Sequence, residues 1–381
     1  MTSFSDLGLA APLMAAVAAA NYSVPTPIQA QAIPPALAGR DVLGIAQTGT
    51  GKTAAFTLPI LTRLQSGPRA MPPAPRALIL APTRELAAQI GETVRLLGRR
   101  MATRVAVTFG GVPKGRQIRA LAAGVDVLVA TPGRLLDLMA DRAVRLDRVE
   151  VLVLDEADHM LDLGFIVPIR RIVAHVPAQR QTMFFSATMP KEIAALADGM
   201  LRDPVRVAVT PVATTAEKVE QRVIFVEQAA KRRVLARLLA ADAQGRTLVF
   251  TRTKHGADRV VKHLAEDGIA AEAIHGNKSQ SQRERALAAF RSGRTRVLVA
   301  TDIAARGIDV TGIDHVINFE LPNVPESYVH RIGRTARAGA AGAAISLCDG
   351  TERPFLRDIE KLIRAKVPAM PVPEDGIARA A

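Results

Sequence analysis

Short apolar runs alternate with stretches of helical spacing along most of the chain. Between two of these runs, residues 84–99 place apolar side chains at helical intervals. Such alternation is typical of parallel sheets covered by helices on both faces, so we predict an α/β fold. The runs that we interpret as strands are 42–46, 77–82, 105–109, 125–130, 149–155, 181–186, 204–209, 220–226, 247–250, 270–274, 296–300, 314–319 and 343–348.

The alternation fades within residues 210–218 and then restarts, which predicts two domains joined by a linker. A chain of 381 residues is long enough for each domain to bury its own core. We therefore place an N-terminal domain at 1–209, the linker at 210–218, a C-terminal domain at 219–367 and a flexible tail at 368–381. The Pro-rich segment 66–76 is expected to be an exposed loop.

The segment Asp41–Thr57, DVLGIAQTGTGKTAAFT, carries the first candidate chemistry. An apolar strand leads into a glycine-rich turn and then a helix, the pattern of a phosphate-binding loop. Lys52 would reach the outer phosphates, and the hydroxyl of Thr53 would ligate Mg²⁺. Ala46 stands where the general pattern has Gly, which needs only a negative φ there. The alternative is a glycine-rich turn without function. The turn itself consists of Thr48, Gly49, Thr50 and Gly51.

A second strand, in VLVLDEAD at 151–158, ends in two carboxylates. Asp155 would belong to the Mg²⁺ shell through water, and Glu156 would polarise the water that attacks the nucleotide. The two motifs together favour a nucleotide-hydrolysing site over a chance turn.

Composition favours a polyanionic partner. The chain has 50 Lys and Arg against 36 Asp and Glu, a formal net charge of +14. Aromatic residues make up only 3%, too few for base-stacking platforms along a strand, so recognition of a nucleic-acid backbone is favoured. The single cysteine, Cys348, excludes disulfides and is expected to be a small core residue.

The apolar run Leu7–Ala20 needs a separate interpretation, because it ends in small residues as a signal peptide would. It lacks a basic segment before it and contains Pro12, so an amphipathic helix that leads into the core is predicted instead. No run is long enough to span a membrane. We expect a soluble, intracellular protein.

The second half contains no phosphate loop, but residues 328–339, YVHRIGRTARAG, place Arg331, Arg334 and Arg337 at intervals of three. This spacing favours guanidinium groups presented into a cleft, with a merely basic surface turn as the alternative. Arginines brought to a γ-phosphate from another domain would stabilise the transition state.

These segments resemble those of the DEAD-box RNA helicases, ATP-dependent members of helicase superfamily 2, over nearly the whole chain. YSVPTPIQ at 22–29 looks like the family's Q motif, AQTGTGKT at 46–53 its phosphate loop, DEAD at 155–158 its acidic motif and SAT at 186–188 its coupling motif. The sequence around these motifs looks most like that of the bacterial RhlE-type subgroup. The resemblance implies two tandem RecA-like domains, each a mostly parallel sheet with helices on both faces.

The resemblance also implies roles at the nucleotide. Gln29 would hydrogen-bond the adenine edge, Phe4 would stack on it and Asp309 would contact the ribose. Glu156 is implied as the general base, and Arg334 and Arg337 as arginine fingers. Residues at which hydrolysis would be coupled to strand separation are Asp158, Ser186, Thr188 and His330.

Two positions depart from the family pattern, in which Gly is usual. Asn21 lies at a turn that tolerates Asn, and Ala336 lies between the two proposed arginine fingers. Neither departure alters a residue with a proposed chemical role.

For RNA, the resemblance selects small residues, hydroxyls and arginines near predicted helix N-termini. These suit contacts to phosphates and 2′-hydroxyls rather than the reading of bases. The residues are Pro82, Thr83, Arg84, Gly110, Gly111, Thr131, Pro132, Gly133 and Arg134 in the first domain, and Arg252, Thr253, Gly276, Gln280, Arg283 and Thr301 in the second.

We therefore predict an RNA-stimulated ATPase and RNA helicase that uses ATP and Mg²⁺ and separates short duplexes with little sequence preference. An ATP-gated RNA clamp is the alternative, because both would carry the same motifs. A DNA-directed motor of superfamily 2 is disfavoured by PTPIQ together with DEAD. A small-molecule kinase would leave the second domain unexplained. A cytoplasmic monomer is expected, with ribosome-assembly or RNA-degradation factors as the partner classes to consider.

Overall fold

The computed structural model describes residues 3–47, 49–66, 72–209, 219–242, 244–305, 310, 312–336 and 342–373. The chain divides into two compact units, residues 1–210 and 211–381. The predicted linker lies outside the described residues, so its bounds stay a prediction.

The first unit is built on a seven-stranded sheet in which every described pairing is parallel, with the order β3-β4-β2-β5-β6-β1-β7. Apolar residues fill both faces of the strands, as expected for a parallel sheet buried on both sides. The strands are β1 (Val42–Ile45), β2 (Ala77–Leu80), β3 (Val105–Thr108), β4 (Val127–Ala130), β5 (Val151–Leu154), β6 (Gln181–Ser186) and β7 (Val205–Ala208).

Successive residues of these strands pack on opposite faces of the sheet. Ile79 and Val153 belong to one core cluster, whereas Leu78 and Leu152 belong to the other. The helices α1 to α4 cover the first face and α5 to α9 supply most of the cover of the second. Their bounds are α1 (Ala11–Ala19), α2 (Pro27–Leu37), α3 (Lys52–Leu64), α4 (Arg84–Leu97), α5 (Gly115–Ala122), α6 (Pro132–Ala140), α7 (Ala157–Asp162), α8 (Ile166–Val173) and α9 (Lys191–Asp198).

The second unit contains a six-stranded parallel sheet with the order β10-β11-β9-β12-β13-β8. Two core clusters again lie on its two faces. The strands are β8 (Glu220–Phe225), β9 (Thr247–Thr251), β10 (Ala271–Ile274), β11 (Val297–Thr301), β12 (His315–Asn318) and β13 (Ala343–Cys348), and the described helices are α10 (Lys231–Ala241), α11 (Lys254–Glu266), α12 (Gln280–Arg291), α13 (Asp302–Ala305), α14 (Pro325–Ile332) and α15 (Arg353–Ile363).

Each of the thirteen predicted strands is present, and the predicted helix 84–99 is α4. The α/β fold with two parallel sheets is confirmed. Cys348 lies in the core, where burial raises the pKa of its thiol to about 11. Among the described helices, none combines the length and hydropathy that a membrane span requires.

Three expectations need correction. The Pro-rich segment is not exposed throughout: Arg76 is buried and its Nε lies 2.6 Å from Glu150 Oε1. The N-terminal run begins as a 3-10 turn at Phe4–Leu7, and the helix starts only at Ala11 because Pro12 suits its first turn. Residues 368–373 are not a flexible tail, since Met370 N donates to Val223 O at 2.9 Å along the outer side of β8.

Candidate functional site

The predicted phosphate-binding loop lies between β1 and α3, at the carboxyl end of β1, which lies between β6 and the edge strand β7. Gly49 and Gly51 adopt φ values of 86° and 94°, a region that favours glycine. Ala46 is absent from the positive-φ residues, which explains why alanine serves there. Lys52 opens α3, and its Nζ donates to the carbonyl of Ala46 at 2.8 Å. Thr48 lies outside the described residues.

Gln29 joins the predicted Q motif to this loop. Its side-chain amide donates to Gly51 O at 3.1 Å, and its amide oxygen accepts from Thr26 N at 2.9 Å, which caps α2. A Cβ on Gly51 would lie 2.5 Å from Gln29 Nε2, so the close approach requires glycine. Gln29 is therefore held against the loop, while its hydrogen bond to adenine stays a prediction.

Phe4 is buried, and its ring centroid lies 6.4 Å from that of Tyr22 in a stacked arrangement. The structure thus pairs Phe4 with a second aromatic residue of the Q motif, which the sequence did not single out. Stacking of Phe4 on adenine stays a prediction.

Asp155 follows β5 directly and lies beside the loop lysine. Its Oδ1 is 4.0 Å from Lys52 Nζ and accepts a hydrogen bond from Glu156 N. Burial raises the pKa of Asp155 to about 6, although Lys52 opposes the shift. A buried carboxylate that a single lysine stabilises only partly is a site where a divalent cation would be favourable.

Glu156 has a left-handed backbone, φ 52° and ψ 54°, at the N-terminus of α7. Such a conformation costs a non-glycine residue about 1 to 2 kcal/mol, and strain of this kind is concentrated at functional sites. Its Oε2 lies 3.3 Å from Nδ1 of the buried His159. The sequence motifs did not single out His159, so this contact was not predicted.

Asp158 connects the acidic motif to the SAT segment. Its Oδ2 accepts hydrogen bonds from Thr188 N and Thr188 Oγ1, both at 2.9 Å, and from Ala187 N at 3.2 Å. Asp158 N donates to Ser186 Oγ, which itself donates to Thr188 O at 2.7 Å. The structure thus brings together Asp158, Ser186 and Thr188, the three predicted coupling residues of this unit.

The carboxyl edge of the first sheet is divided into two halves. The adjacent strands β5, β6 and β1 carry the acidic motif, the SAT segment and the phosphate loop, whereas β3, β4 and β2 carry the segments assigned to RNA. Ligands of open α/β sheets bind outside the carboxyl ends of the strands. One edge therefore offers two neighbouring sites.

The RNA-assigned segments of the first unit are joined by arginines. A Cβ on Gly111 would lie 2.2 Å from the guanidinium of Arg84, so these two segments are in close contact. Arg134 donates from Nη2 to Val112 O at 2.9 Å and from Nη1 to Gln117 Oε1 at 3.1 Å, which fixes the Gly110–Gly111 turn next to α6. The sequence did not predict this bracing role for Arg134.

Helix N-termini converge at the same half of the edge. Thr83 caps α4 by accepting from Leu86 N at 3.2 Å, and Thr131 and Pro132 begin α6. Helix N-termini carry a partial positive charge and attract phosphate. Pro82 is buried behind them, and a Cβ at Gly110 or Gly133 would meet open space.

The second unit repeats the arrangement. Arg252 and Thr253 follow β9, Gly276 follows β10 and Thr301 ends β11, and these three strands are adjacent. Thr253 caps α11 by accepting from Gly256 N at 3.0 Å. The remaining residues assigned to RNA here are on α12, where Gln280 is the first residue and Arg283 is buried.

The arginine cluster of the second unit is only partly as predicted. Arg331 is not presented into a cleft: it is 1% exposed, its Nε lies 2.6 Å from Asp302 Oδ1, and its guanidinium carbon lies 5.0 Å from the centroid of Phe250. Arg331 lies on the packed face of α14 and forms an ion pair with Asp302 in the core. Arg334 is also buried, and its Nε donates to His330 O at 3.3 Å. Arg337 and Asp309 lie outside the described residues.

Ala336 and Asn21, the two departures from the family pattern, both have left-handed backbones, with φ values of 53° and 57°. Glycine would be unstrained at either position. Of the two residues present, alanine tolerates the left-handed backbone less well than asparagine does.

Replacing Ala336 by Gly is expected to stabilise the protein by about 1 kcal/mol, because glycine relieves the left-handed strain at φ 53°. Thermal unfolding should show an increase in Tm of roughly 2–4 °C. The control is Ala240→Gly at an exposed position of α10 in the same unit. This change should lower Tm, because glycine is a poorer helix former than alanine. Equal losses for both variants would show that position 336 is not strained.

The glycine-rich loop precedes α3, a carboxylate pair follows β5, and each unit has a RecA-like parallel sheet. These features define the class as a phosphate-loop nucleoside triphosphatase with two α/β domains. Residues 26–196 match the DEAD/DEAH box helicase family, and residues 230–339 match the helicase conserved C-terminal domain.

Similar proteins cover the whole chain. DEAD-box ATP-dependent RNA helicase 30 of Arabidopsis thaliana is 44% identical over 100% of this chain, which spans 65% of that relative. DEAD-box ATP-dependent RNA helicase CshA of Bacillus subtilis is 43% identical over 97% of this chain and 74% of the relative. The solved structure of S. cerevisiae Dbp5 bound to RNA and ADP BeF3 is 32% identical and covers 98% of this chain and 96% of that chain, with a TM-score of 0.88.

The chain belongs to the DEAD-box ATP-dependent RNA helicases, a family of RNA-stimulated ATPases. The predicted family, enzyme class and RecA-like fold are thereby confirmed. The RhlE-type subgroup stays a prediction.

Proposed function

We propose that this protein couples ATP hydrolysis to local, largely sequence-independent remodelling of RNA, including separation of short duplexes. The observation that supports this most is the division of one sheet edge between nucleotide-binding strands and strands that carry phosphate-binding helix N-termini. In such an arrangement, a conformational change at the nucleotide site could reach the RNA-binding segments directly, because β5 of the first group and β2 of the second are neighbours.

ATP would be bound by the loop of the first unit. Gln29 and Phe4 would hold the adenine, residues 48–53 the phosphates, and Glu156 would accept a proton from the attacking water. Among the described residues, no three His, Cys, Asp or Glu side chains gather into a complete metal site. This fits Mg²⁺, which is commonly held by one or two protein oxygens, here Thr53 and Asp155 through water, together with phosphates.

RNA would be bound through its backbone. The assigned residues are small, hydroxylated or cationic and lie at helix N-termini in both units, which suits phosphates and 2′-hydroxyls. The net charge of +14 adds a sequence-independent attraction. Binding should therefore depend strongly on salt and weakly on base sequence.

The second unit would complete the nucleotide site. Asp309 would contact the ribose, and Arg334 and Arg337 would stabilise the charge on the γ-phosphate in the transition state. His330 and the Asp158–Thr188 hydrogen bonds would link this event to the RNA segments. We take residues 1–209 and 219–367 as the two domains that close, with 210–218 as the linker. Because ATP and RNA would each be held by both domains, each should tighten the other.

The experiment that tests this function is an ATPase assay with and without RNA, repeated across salt concentrations. RNA should increase turnover, and a DNA oligomer of the same sequence should not. Turnover that is indifferent to RNA would contradict the proposal. A strand-displacement assay on a short duplex then separates a helicase from an ATP-gated clamp, which would bind RNA with ATP but release few strands. We place the protein in the cytoplasm as a monomer, with ribosome-assembly or RNA-degradation factors as partners.

A further inference from the structure

The carboxyl edge of the second sheet has a half to which no role has been assigned. The residues assigned to RNA follow β9, β10 and β11, whereas the edge continues through β12 and β13 to β8. At its far end, Phe225 is the last residue of β8 and pairs in register with Cys348 of β13. The chain after Cys348 then turns into α15, which begins at Arg353.

Phe225 and Arg353 form an exposed stack. Phe225 is 42% exposed, and the guanidinium carbon of Arg353 lies 4.6 Å from the centroid of its ring. Arg353 is itself exposed, and among the described residues it forms no salt bridge. Arg357, one helical turn further along α15, is also exposed. A ring and two exposed cations at one site are suited to a nucleobase and its phosphates.

This stack is continuous with the part of the edge already assigned to RNA. The guanidinium carbon of Arg252, which follows β9, lies 5.8 Å from the ring centroid of Phe355 on α15, two residues from Arg353. Arg252 also lies 3.5 Å from Glu352 and 3.8 Å from Glu320. Glu352 is itself paired with the buried Lys231, which also lies 3.1 Å from Asp349, so the charges of Arg252 and Lys231 are balanced within this cluster and Arg353 and Arg357 are the exposed cations beside the ring.

The distance along the sheet edge from the RNA segment after β9 to the end of β8 is short. Three steps between neighbouring strands separate β9 from β8, about 14 Å at the usual strand spacing. About four stacked nucleotides span that distance.

We propose that Phe225 and Arg353 form an accessory site for single-stranded RNA, in which a nucleobase stacks on the phenyl ring and Arg353 binds an adjacent phosphate. The site lies beyond the RNA segments of the core and extends the strand that they hold. It rests on the proposed function, since it presupposes RNA on the same edge. Aromatic residues make up only 3% of the chain, so a phenyl ring that is 42% exposed is unusual here and favours a role in binding.

The experiment uses the intact chain and fluorescence anisotropy with oligo-U from about 6 to about 16 nucleotides, in the presence of AMP-PNP and Mg²⁺. Phe225→Leu removes the ring but keeps an apolar side chain, and Arg353→Gln removes the charge. Each is expected to weaken binding of the longer oligomers about five-fold or more, with a smaller effect on the shortest. Phe225→Trp retains a stacking surface and should bind at least as tightly as the original chain.

Matched controls are Leu96→Ala, another exposed large apolar residue, and Arg206→Ala, an exposed arginine of the first unit. Neither should change the dependence of affinity on length. Photo-cross-linking of 4-thiouridine RNA should label the peptide that contains Phe225. If the variants bind every length as the original chain does, the accessory site is wrong although the proposed function stands. If the original chain binds no RNA, the proposed function itself fails.

Discussion

Glu156→Gln is expected to lower RNA-stimulated ATP turnover by about 10²- to 10⁴-fold, the usual contribution of a general base. Gln has the same shape and can keep the contact with His159 Nδ1, now 3.3 Å away, but it cannot accept the proton of the attacking water. Nucleotide binding should persist, because Lys52 and the glycine loop are untouched. Steady-state turnover and the Kd for ATP measure the two effects separately.

The control for this variant is Glu192→Gln, which removes an exposed glutamate at the start of α9 in the same unit. Its turnover should match that of the original chain. Turnover of Glu156→Gln within about two-fold of the original would assign the base elsewhere, since proton transfer contributes far more than that.

Arg334→Ala is expected to reduce turnover by about 10³-fold or more, as removal of an arginine finger does in related phosphoryl-transfer sites. The affinity for ATP should change little if the guanidinium acts mainly in the transition state. Arg334→Lys should recover only part of the rate, because an ammonium group lacks the planar fork of guanidinium donors. Single-turnover kinetics at saturating ATP isolate this step.

Arg294→Ala provides the comparison, since it removes an exposed arginine of the second unit. It should leave saturating turnover unchanged. Because Arg334 is buried, circular dichroism must first show that Arg334→Ala is folded. A folded Arg334→Ala chain with normal turnover would remove the second unit from the chemical step.

The fold could be read from the sequence because buried parallel strands are continuous apolar runs. The runs at 77–82 and 149–155 extended past the strand ends at Leu80 and Leu154, since the residues that follow turn out of the sheet to carry the site. The motifs located the loop, the acidic pair and the SAT segment because each begins at the carboxyl end of a strand: the first two follow β1 and β5, and Ser186 is the last residue of β6.

Contacts between distant segments could not be read from the sequence. Arg331 fits the same three-residue spacing as Arg334, yet it is buried against Asp302, which lies 29 residues earlier. Residues 368–373 have the composition of a tail, but pairing with Val223 and packing of Met370 hold them on the sheet. Composition and spacing do not reveal which surface a segment will meet.

The most direct test of the proposed function measures the coupling between ATP binding and RNA binding on the intact chain. The Kd for a single-stranded RNA is determined with and without saturating AMP-PNP and Mg²⁺, and the Kd for AMP-PNP with and without saturating RNA. Each ligand is expected to tighten the binding of the other by the same factor, about 5- to 150-fold. Affinities that are independent of the other ligand would contradict the coupling of ATP binding to RNA binding.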